Sequence, residues 1–389
     1  MTASRHYVLA AGGTGGHMIP AFALAAELIA RGHRVALVTD DRGAKIPGGP
    51  ADLQIHILPA GRLAGGPLGW LRAARGIWRG RAMALELLRA FEPSAVVGFG
   101  GYPALPTLLA ARSASIPTVI HEQNAVLGRV NRLLAGRVDA IATAYPDIQR
   151  LPASAASRVE LVGNPVREEI MALRDLPFPP VGPDSVFRLL VTGGSQGATI
   201  LADVVPDALT LLPLNFRQRM QVTQQCRPED IERVRATYAA HGIPAELSTY
   251  IEDMASKLSW AHLFIGRAGA STIAELTAIG RPAILVPLPS ATDDHQSYNV
   301  QEMVAVGGAR AIAQDRFTAV ELAKQMQKLA LEPGALETAA SRAASVGRPN
   351  ATRDLADLVE RTGGSALMDV IHVGAGGGAS VRGLAGASV

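Results

Sequence analysis

The sequence predicts an α/β protein of two doubly wound, Rossmann-like domains facing each other across a cleft, and three observations lead there. Short β-rich runs alternate with longer Ala/Leu-rich runs from end to end. A Pro-rich stretch at 176–183 interrupts the alternation, which then restarts. Both halves open alike, with an apolar strand running straight into a glycine loop. The 389 residues suit two domains of ordinary size. Hydrophobic residues make up 48% and aromatics only 4%, so the core must rest on Leu, Val, Ile and Ala. That composition suits buried parallel strands under Ala-rich helices.

In the first half the runs 7–11, 34–39, 53–58, 95–98, 118–121 and 140–143 read as strands, and 21–31, 105–112 and 129–135 carry the helical period. Strands follow in the second half at 187–192, 220–223, 247–250, 263–265, 283–287 and 309–313. A βαβα order implies parallel sheets with right-handed crossovers. The expected partition is a first domain over 1–165, a second over 166–342, and a helix at 343–361 returning to the first. The remainder, 362–389, is rich in Gly, Ala, Ser and Val and is expected to be a disordered tail.

Composition narrows the function classes. The net charge is +3, Lys and Arg are spread out and aromatics are few, which argues against nucleic acid as a partner. One cysteine, Cys226, excludes an internal disulfide framework and any multi-Cys zinc site. The first sixteen residues read as a strand and its loop rather than a signal peptide. No stretch reaches the roughly 18 apolar residues of a membrane span, and a soluble, cytoplasmic protein is expected.

The two loops are Gly12-Gly13-Thr14-Gly15-Gly16 and Gly193-Gly194-Ser195-Gln196-Gly197. A glycine loop between strand and helix points backbone N–H groups and the positive helix end at the sheet's C-terminal edge, where diphosphates bind. Neither loop has the lysine of a P-loop. The dinucleotide fingerprint fails at Met18 in the first and at Ser195 in the second. Asp40 and Asp41 lie near where a ribose-binding acid would fall, so an NAD-dependent oxidoreductase stays an alternative. One such loop could be a plain turn, but two at equivalent places favour a cleft site.

Residues 67–90 carry a different pattern. At about 100° per residue Arg72, Arg75 and Arg79 form one stripe, with Leu71, Ala74, Ile77, Trp78, Ala82 and Leu85 beside it. Trp70 and Trp78, two of the three tryptophans, stand among these basic residues. Either this is an ordinary helix docked by its apolar face, or it lies on an anionic membrane surface.

Gly12-Gly13-Thr14-Gly15-Gly16-His17 is the first of seven motifs in order. The others are Gly98-Phe99-Gly100-Gly101-Tyr102, His121-Glu122-Gln123-Asn124, Gly163-Asn164-Pro165-Val166-Arg167, Gly193-Gly194-Ser195-Gln196-Gly197-Ala198, Arg267-Ala268-Gly269-Ala270-Ser271-Thr272 and Asp294-His295-Gln296-Ser297-Tyr298-Asn299. Over about residues 5–360 the chain thereby resembles the bacterial undecaprenyl-diphospho-muramoylpentapeptide N-acetylglucosaminyltransferases. That family moves N-acetylglucosamine from UDP-N-acetylglucosamine to the C4 hydroxyl of the muramoyl sugar of lipid I, giving lipid II for peptidoglycan. The resemblance implies the glycosyltransferase B fold, inversion, a donor held by the second domain and an acceptor by the first. It also implies no cofactor, no metal on the diphosphate, and peripheral binding to the cytoplasmic face of the inner membrane. Its membrane patch falls at Trp70, Leu71, Arg72, Arg75, Ile77, Trp78 and Arg79. Asp40-Asp41 and Asp293-Asp294 are the acidic pairs that could contradict metal independence.

His17 follows the first glycine loop at a helix start, where the dipole favours a neutral imidazole able to accept a proton. An inverting transfer needs one such base. The residue could instead merely pack or cap, and His121 is a rival that could be structural. Glu275, three residues after Thr272, fits a capping box; the resemblance gives it the ribose hydroxyls of UDP instead. By the same resemblance Ser195, Ala270, Ser271 and Thr272 face the phosphates, and Arg167 offsets the charge of leaving UDP. Ile251 meets uracil, Asn124 and Gln296 meet sugar hydroxyls, and Thr14, Gly15 and Gly16 wall the cleft. A UDP-N-acetylglucosamine 2-epimerase of the same fold, and a non-catalytic nucleotide-sugar sensor with no need of His17, are the competing readings.

Overall fold

The computed structural model describes residues 4–58, 67–182, 184–194 and 197–375, with the side chains of 67–73 and 365–375 left aside. Among the described residues there are two parallel sheets. The first contains β1 (His6–Ala10), β2 (Arg34–Thr39), β3 (Gln54–Ile57), β4 (Ala95–Gly98), β5 (Thr118–Glu122), β6 (Ala140–Thr143) and β7 (Val159–Leu161). Its spatial order is β3-β2-β1-β4-β5-β6-β7. The second contains β8 (Phe187–Thr192), β9 (Met220–Gln225), β10 (Ala245–Ser248), β11 (Leu263–Gly266), β12 (Ala283–Leu285) and β13 (Ala309–Ala311), in the order β10-β9-β8-β11-β12-β13.

Each sheet reverses its strand order beside its first strand, the switch point at which such sheets bind ligands. The apolar runs explain the layering. Alternate residues of a strand point to opposite faces, so Tyr7 and Leu9 of β1 join one core while Val8 and Ala10 join the other. In β8, Phe187, Leu189 and Val191 face one core and Leu190 the opposite one. Helices Gly15–Ala30 and Ala351–Ala375 cover one face of the first sheet, and Pro67–Phe91 with Ala104–Ser113 cover the other.

Four elements depart from the sequence reading, one of them β10, expected at 247–250 and found two residues earlier. Strand β7 was not expected: it is a three-residue edge strand, Val-Glu-Leu, without a buried face. Helix Gly15–Ala30 begins six residues before 21, inside the glycine loop. The last helix runs to Ala375, past the residue 362 where a disordered tail was expected to start; 376–389 lie outside the described residues.

That last helix belongs to the first sheet. Leu355, Ala356, Leu358 and Val359 are buried in its core. Arg31 binds Asp357 at 2.6 Å and Glu360 at 2.7 Å, and His33 meets Glu360 at 2.6 Å. The chain therefore crosses between the sheets twice, and the crossings touch. A Cβ on Gly163 would lie 2.7 Å from the Arg348 Cβ and 2.9 Å from the Ala351 Cβ, so only glycine allows this approach.

Candidate functional site

Both glycine loops leave the C-terminal ends of their sheets' first strands, and the helices that follow the loops after β1 and β11, Gly15–Ala30 and Ala270–Ala278, touch across the cleft. On the first side, Thr14 is the N-cap of Gly15–Ala30, extended at φ −143°, and its hydroxyl makes no capping bond. His17 Nδ1 lies 2.9 Å from the Gly12 carbonyl. A carbonyl can only accept, so Nδ1 carries a proton, and in the neutral ring Nε2 is the nitrogen with the lone pair. The Nε2 edge faces the second glycine turn: a Cβ on Gly100 would stand 3.2 Å from it. Gly101, at φ +77°, backs directly onto the Gly12 carbonyl, leaving no room for a larger residue.

Asp40 supports this loop instead of waiting for a ribose. Its carboxylate accepts from Gly13 N–H at 3.1 Å, Gly43 N–H at 2.8 Å and Arg42 at 3.1 Å. Burial pushes its carboxyl up, but the bonds from Gly43, Arg42 and Gly13 together hold it below the ordinary value. Asp40, one of the two acids that kept the oxidoreductase reading open, is thus already engaged.

His121 is not poised as a base. It is fully buried at the end of β5, donates from Nε2 to the Gly163 carbonyl at 2.9 Å, and meets the Gln123 amide at Nδ1, also 2.9 Å. Burial, only partly opposed by the Gly163 bond, pushes its ring down to about 4. His121 fixes the crossing between the sheets.

On the second side, helix Ala270–Ala278 starts at Ala270, its N-cap is Gly269, and no side chain caps it. Thr272 is the helix's third residue, so the Thr272–Glu275 capping box is not formed. The helix start keeps free N–H groups, and the Ser271 hydroxyl beside them is buried without a partner. Glu275, 8% exposed, accepts from Arg167 Nε at 3.1 Å and Nη2 at 2.9 Å. Burial raises its carboxyl, and Arg167 opposes that. Arg167 also pairs with Glu169 at 3.3 Å. Gln296 Oε1 accepts from the N–H groups of Ala268 at 3.1 Å and Leu288 at 3.0 Å, which leaves its amide nitrogen to donate elsewhere.

The two sides are joined through Asn124. Asn299 donates to the Asn124 side-chain oxygen Oδ1 at 3.1 Å and to the Ala268 backbone carbonyl at 3.2 Å, and its own Oδ1 accepts from Ala125 N–H at 2.8 Å. The Asn124 loop is built around buried Glu122, whose oxygens take Asn124 N–H at 3.1 Å, Gly128 N–H at 2.8 Å and the Asn131 amide at 2.9 Å. The sequence alone assigns no role to Glu122 or Asn299, although they stand in the His121–Asn124 and Asp294–Asn299 motifs.

Ile251 lies buried in the same core as Val166 and Ile273, at the foot of this site. Ser195 falls outside the described residues, as do the side chains of Trp70, Leu71 and Arg72. Along helix Pro67–Phe91, Arg75 and Arg79 are exposed and Trp78 is 75% exposed, while Ile77 turns in against the core. Among the described residues no helix is long and apolar enough to cross a membrane.

The two halves match the N-terminal and C-terminal domain models of glycosyltransferase family 28, over residues 7–143 and 188–359. A Novosphingobium aromaticivorans protein named UDP-N-acetylglucosamine–N-acetylmuramyl-(pentapeptide) pyrophosphoryl-undecaprenol N-acetylglucosamine transferase is 68% identical over 96% of both chains. The crystal structure of Acinetobacter baumannii MurG aligns with a TM-score of 0.72 and 31% identity, covering 92% of this chain and 99% of that one. The UDP-GlcNAc 2-epimerase from Neisseria meningitidis shares the fold, with a TM-score of 0.65 over 91% and 100% of the chains, at only 14% identity. The two domain models take in both sheets and both sides of the cleft, and the 68%-identical relative covers 96% of the chain: the chain belongs to glycosyltransferase family 28.

Proposed function

We propose that this chain transfers N-acetylglucosamine from UDP-N-acetylglucosamine to the C4 hydroxyl of the muramoyl sugar of lipid I, inverting the anomeric carbon. The observation that carries the reading is the His17 ring at the start of the Gly15–Ala30 helix, with Nδ1 on the Gly12 carbonyl and Nε2, beside Gly100, left as the nitrogen that can take a proton. Nε2 takes the acceptor hydroxyl's proton as that oxygen bonds to the anomeric carbon. The bond from that carbon to the diphosphate breaks on the opposite face, and UDP leaves with the electron pair.

In this reading the first domain, to about residue 165, receives the acceptor against Thr14, Gly15 and Gly16, and the second holds the donor. The helix start at Ala270, with Ser271, Thr272 and the Ser195 loop, offers N–H and hydroxyl donors to the diphosphate without a metal. Glu275 takes the ribose hydroxyls and Arg167 offsets the developing charge. Ile251 meets uracil through its backbone, and Asn124 and Gln296 meet sugar hydroxyls. A polyprenyl acceptor stays in the bilayer, so the enzyme works at an anionic surface on the cytoplasmic face of the inner membrane. The patch is exposed Arg75, Trp78 and Arg79, with Trp70, Leu71 and Arg72 before them in sequence.

The 68%-identical relative bears the transferase's name, whereas the epimerase shares only the fold, and this favours transfer. The test is incubation with UDP-N-acetylglucosamine and a short-chain lipid I analogue, with and without EDTA, followed by mass analysis. A disaccharide product formed only with acceptor, and surviving EDTA, is expected. Conversion of the donor alone would mean epimerisation. Loss with EDTA and rescue by Mg²⁺ would move the diphosphate to one of the acidic pairs.

A further inference from the structure

Asp293 belongs to the second domain but is bound by the first. Its Oδ2 accepts from Arg132 at 2.7 Å and its Oδ1 from Arg150 at 2.5 Å. Arg132 is steadied by a further bond to the Leu127 carbonyl at 3.2 Å. The contact has an unusual backbone: Asp293, Asp294 and Arg150 all have positive φ, at 56°, 54° and 62°. Non-glycine residues rarely sit there, and surroundings that over-determine them are needed to keep them so.

The same short segment makes two other connections. Gln296, three residues on, binds the backbone at Ala268 and Leu288, beside the start of the Ala270–Ala278 helix. Asn299, three further on, bonds to Asn124 and Ala125 of the first domain and to Ala268 of the second. Between them Tyr298 packs with Ala125, Ala144 and Tyr145 of the first domain. One strap, 292–299, thus holds the donor-side glycine turn with its middle and grips the first domain at both ends.

We propose that Asp293 is a positioning residue for the transfer: its paired bonds to Arg132 and Arg150 set the register in which the base of one domain meets the donor held by the other. The inference rests on the transfer reading above. His17 and the Ala270 helix start ride on different sheets, so their relative placement depends on contacts such as these. Misplacement of reacting groups by about an ångström can cost up to roughly a hundredfold in rate. Asp293 touches neither reacting atom in this scheme and acts through the strap.

The experiment compares wild type with Asp293→Asn, Asp293→Glu, Arg132→Gln, Arg150→Gln and the Asp293→Asn/Arg132→Gln double variant. Turnover on the soluble lipid I analogue, UDP affinity by calorimetry and unfolding temperature are measured for each. Wild-type product formation comes first; its failure would sink the transfer reading itself. Given that product, Asp293→Asn is expected to lower kcat about tenfold with UDP affinity and unfolding temperature nearly unchanged. Asp293→Glu should recover part of the loss, and the double variant should be no worse than Asp293→Asn alone. The two arginine variants alter partly exposed side chains (33% and 48%) and keep the test open if Asp293→Asn folds poorly. Unchanged kcat in all variants, losses that simply follow unfolding temperature, or additive losses in the double variant would each overturn the proposal.

Discussion

Acid should weaken this protein through His121, and the size of the effect follows from its burial. The folded ring titrates at about 4 against an ordinary 6.5. Below pH 6.5 the unfolded chain therefore takes up a proton that the folded chain refuses. The stability linked to neutral His121 is complete above about pH 6.5 and drains away as pH falls to about 4. Each unit costs about 1.4 kcal/mol, about 3 kcal/mol over the whole span. The physical cause is burial, which penalises the charged ring and outweighs the Gly163 bond that favours it; Nδ1, where the second proton would go, faces the Gln123 amide, which also donates to the His121 carbonyl. The perturbation is His121→Gln, which does not titrate and can still donate to Gly163. It should lower stability at pH 8 by about 1–2 kcal/mol through lost packing on Phe99 and an imperfect bond. Its pH dependence, however, should be shallower. Urea unfolding of both proteins at pH 8, 6 and 5 measures this, and the gap between them should close by about 2 kcal/mol between pH 8 and 5. Parallel curves over that range would refute the reasoning.

Three other expectations concern the site. His17→Ala should lower turnover by roughly a hundred- to ten-thousand-fold with donor affinity little changed, measured by steady-state kinetics beside UDP calorimetry; near-wild-type turnover would remove His17 from the mechanism. Glu275→Ala should weaken UDP binding by about tenfold or more, as expected for losing hydrogen bonds to a charged group. Because Arg167 keeps Glu169 as a partner, its unfolding temperature should fall by only a few degrees. A large stability loss with intact UDP affinity would make Glu275 purely structural. Arg72/Arg75/Arg79→Gln should reduce co-sedimentation with anionic vesicles, by about 1 kcal/mol per arginine at low salt, and leave turnover on a water-soluble acceptor unchanged. Equal sedimentation on neutral and anionic lipid would place the membrane contact elsewhere.

The architecture was readable because parallel strands buried on both faces are nearly continuous apolar runs. Ala95–Gly98, Ala140–Thr143 and Phe187–Thr192 lie where composition put them. Val159–Leu161 escaped because a half-exposed edge strand with a central glutamate has no such run. The Thr272–Glu275 spacing fits a capping box but says nothing about where a helix starts; Gly269 sets that, three residues before the Thr272 N-cap a box would need. His17 and Glu275 were found through motifs. The bonds of Asp293 to Arg132 and Arg150, and of Asn299 to Asn124, join residues more than 140 apart with no shared period, and nothing local in the sequence announces them.

The returning C-terminal helix has a consequence for how the chain is made. The first sheet's core includes Leu355, Ala356, Leu358 and Val359, among the last described residues to leave the ribosome. Synthesis therefore delivers seven strands of the first sheet long before the helix that closes one of their faces. In the interval the whole second sheet, β8 to β13, emerges and can fold on its own contiguous stretch of chain. The half made first is completed last. A truncation before Ala351 would strip the first domain of its cover while leaving the second sheet entire, so damage at one terminus is felt at the other.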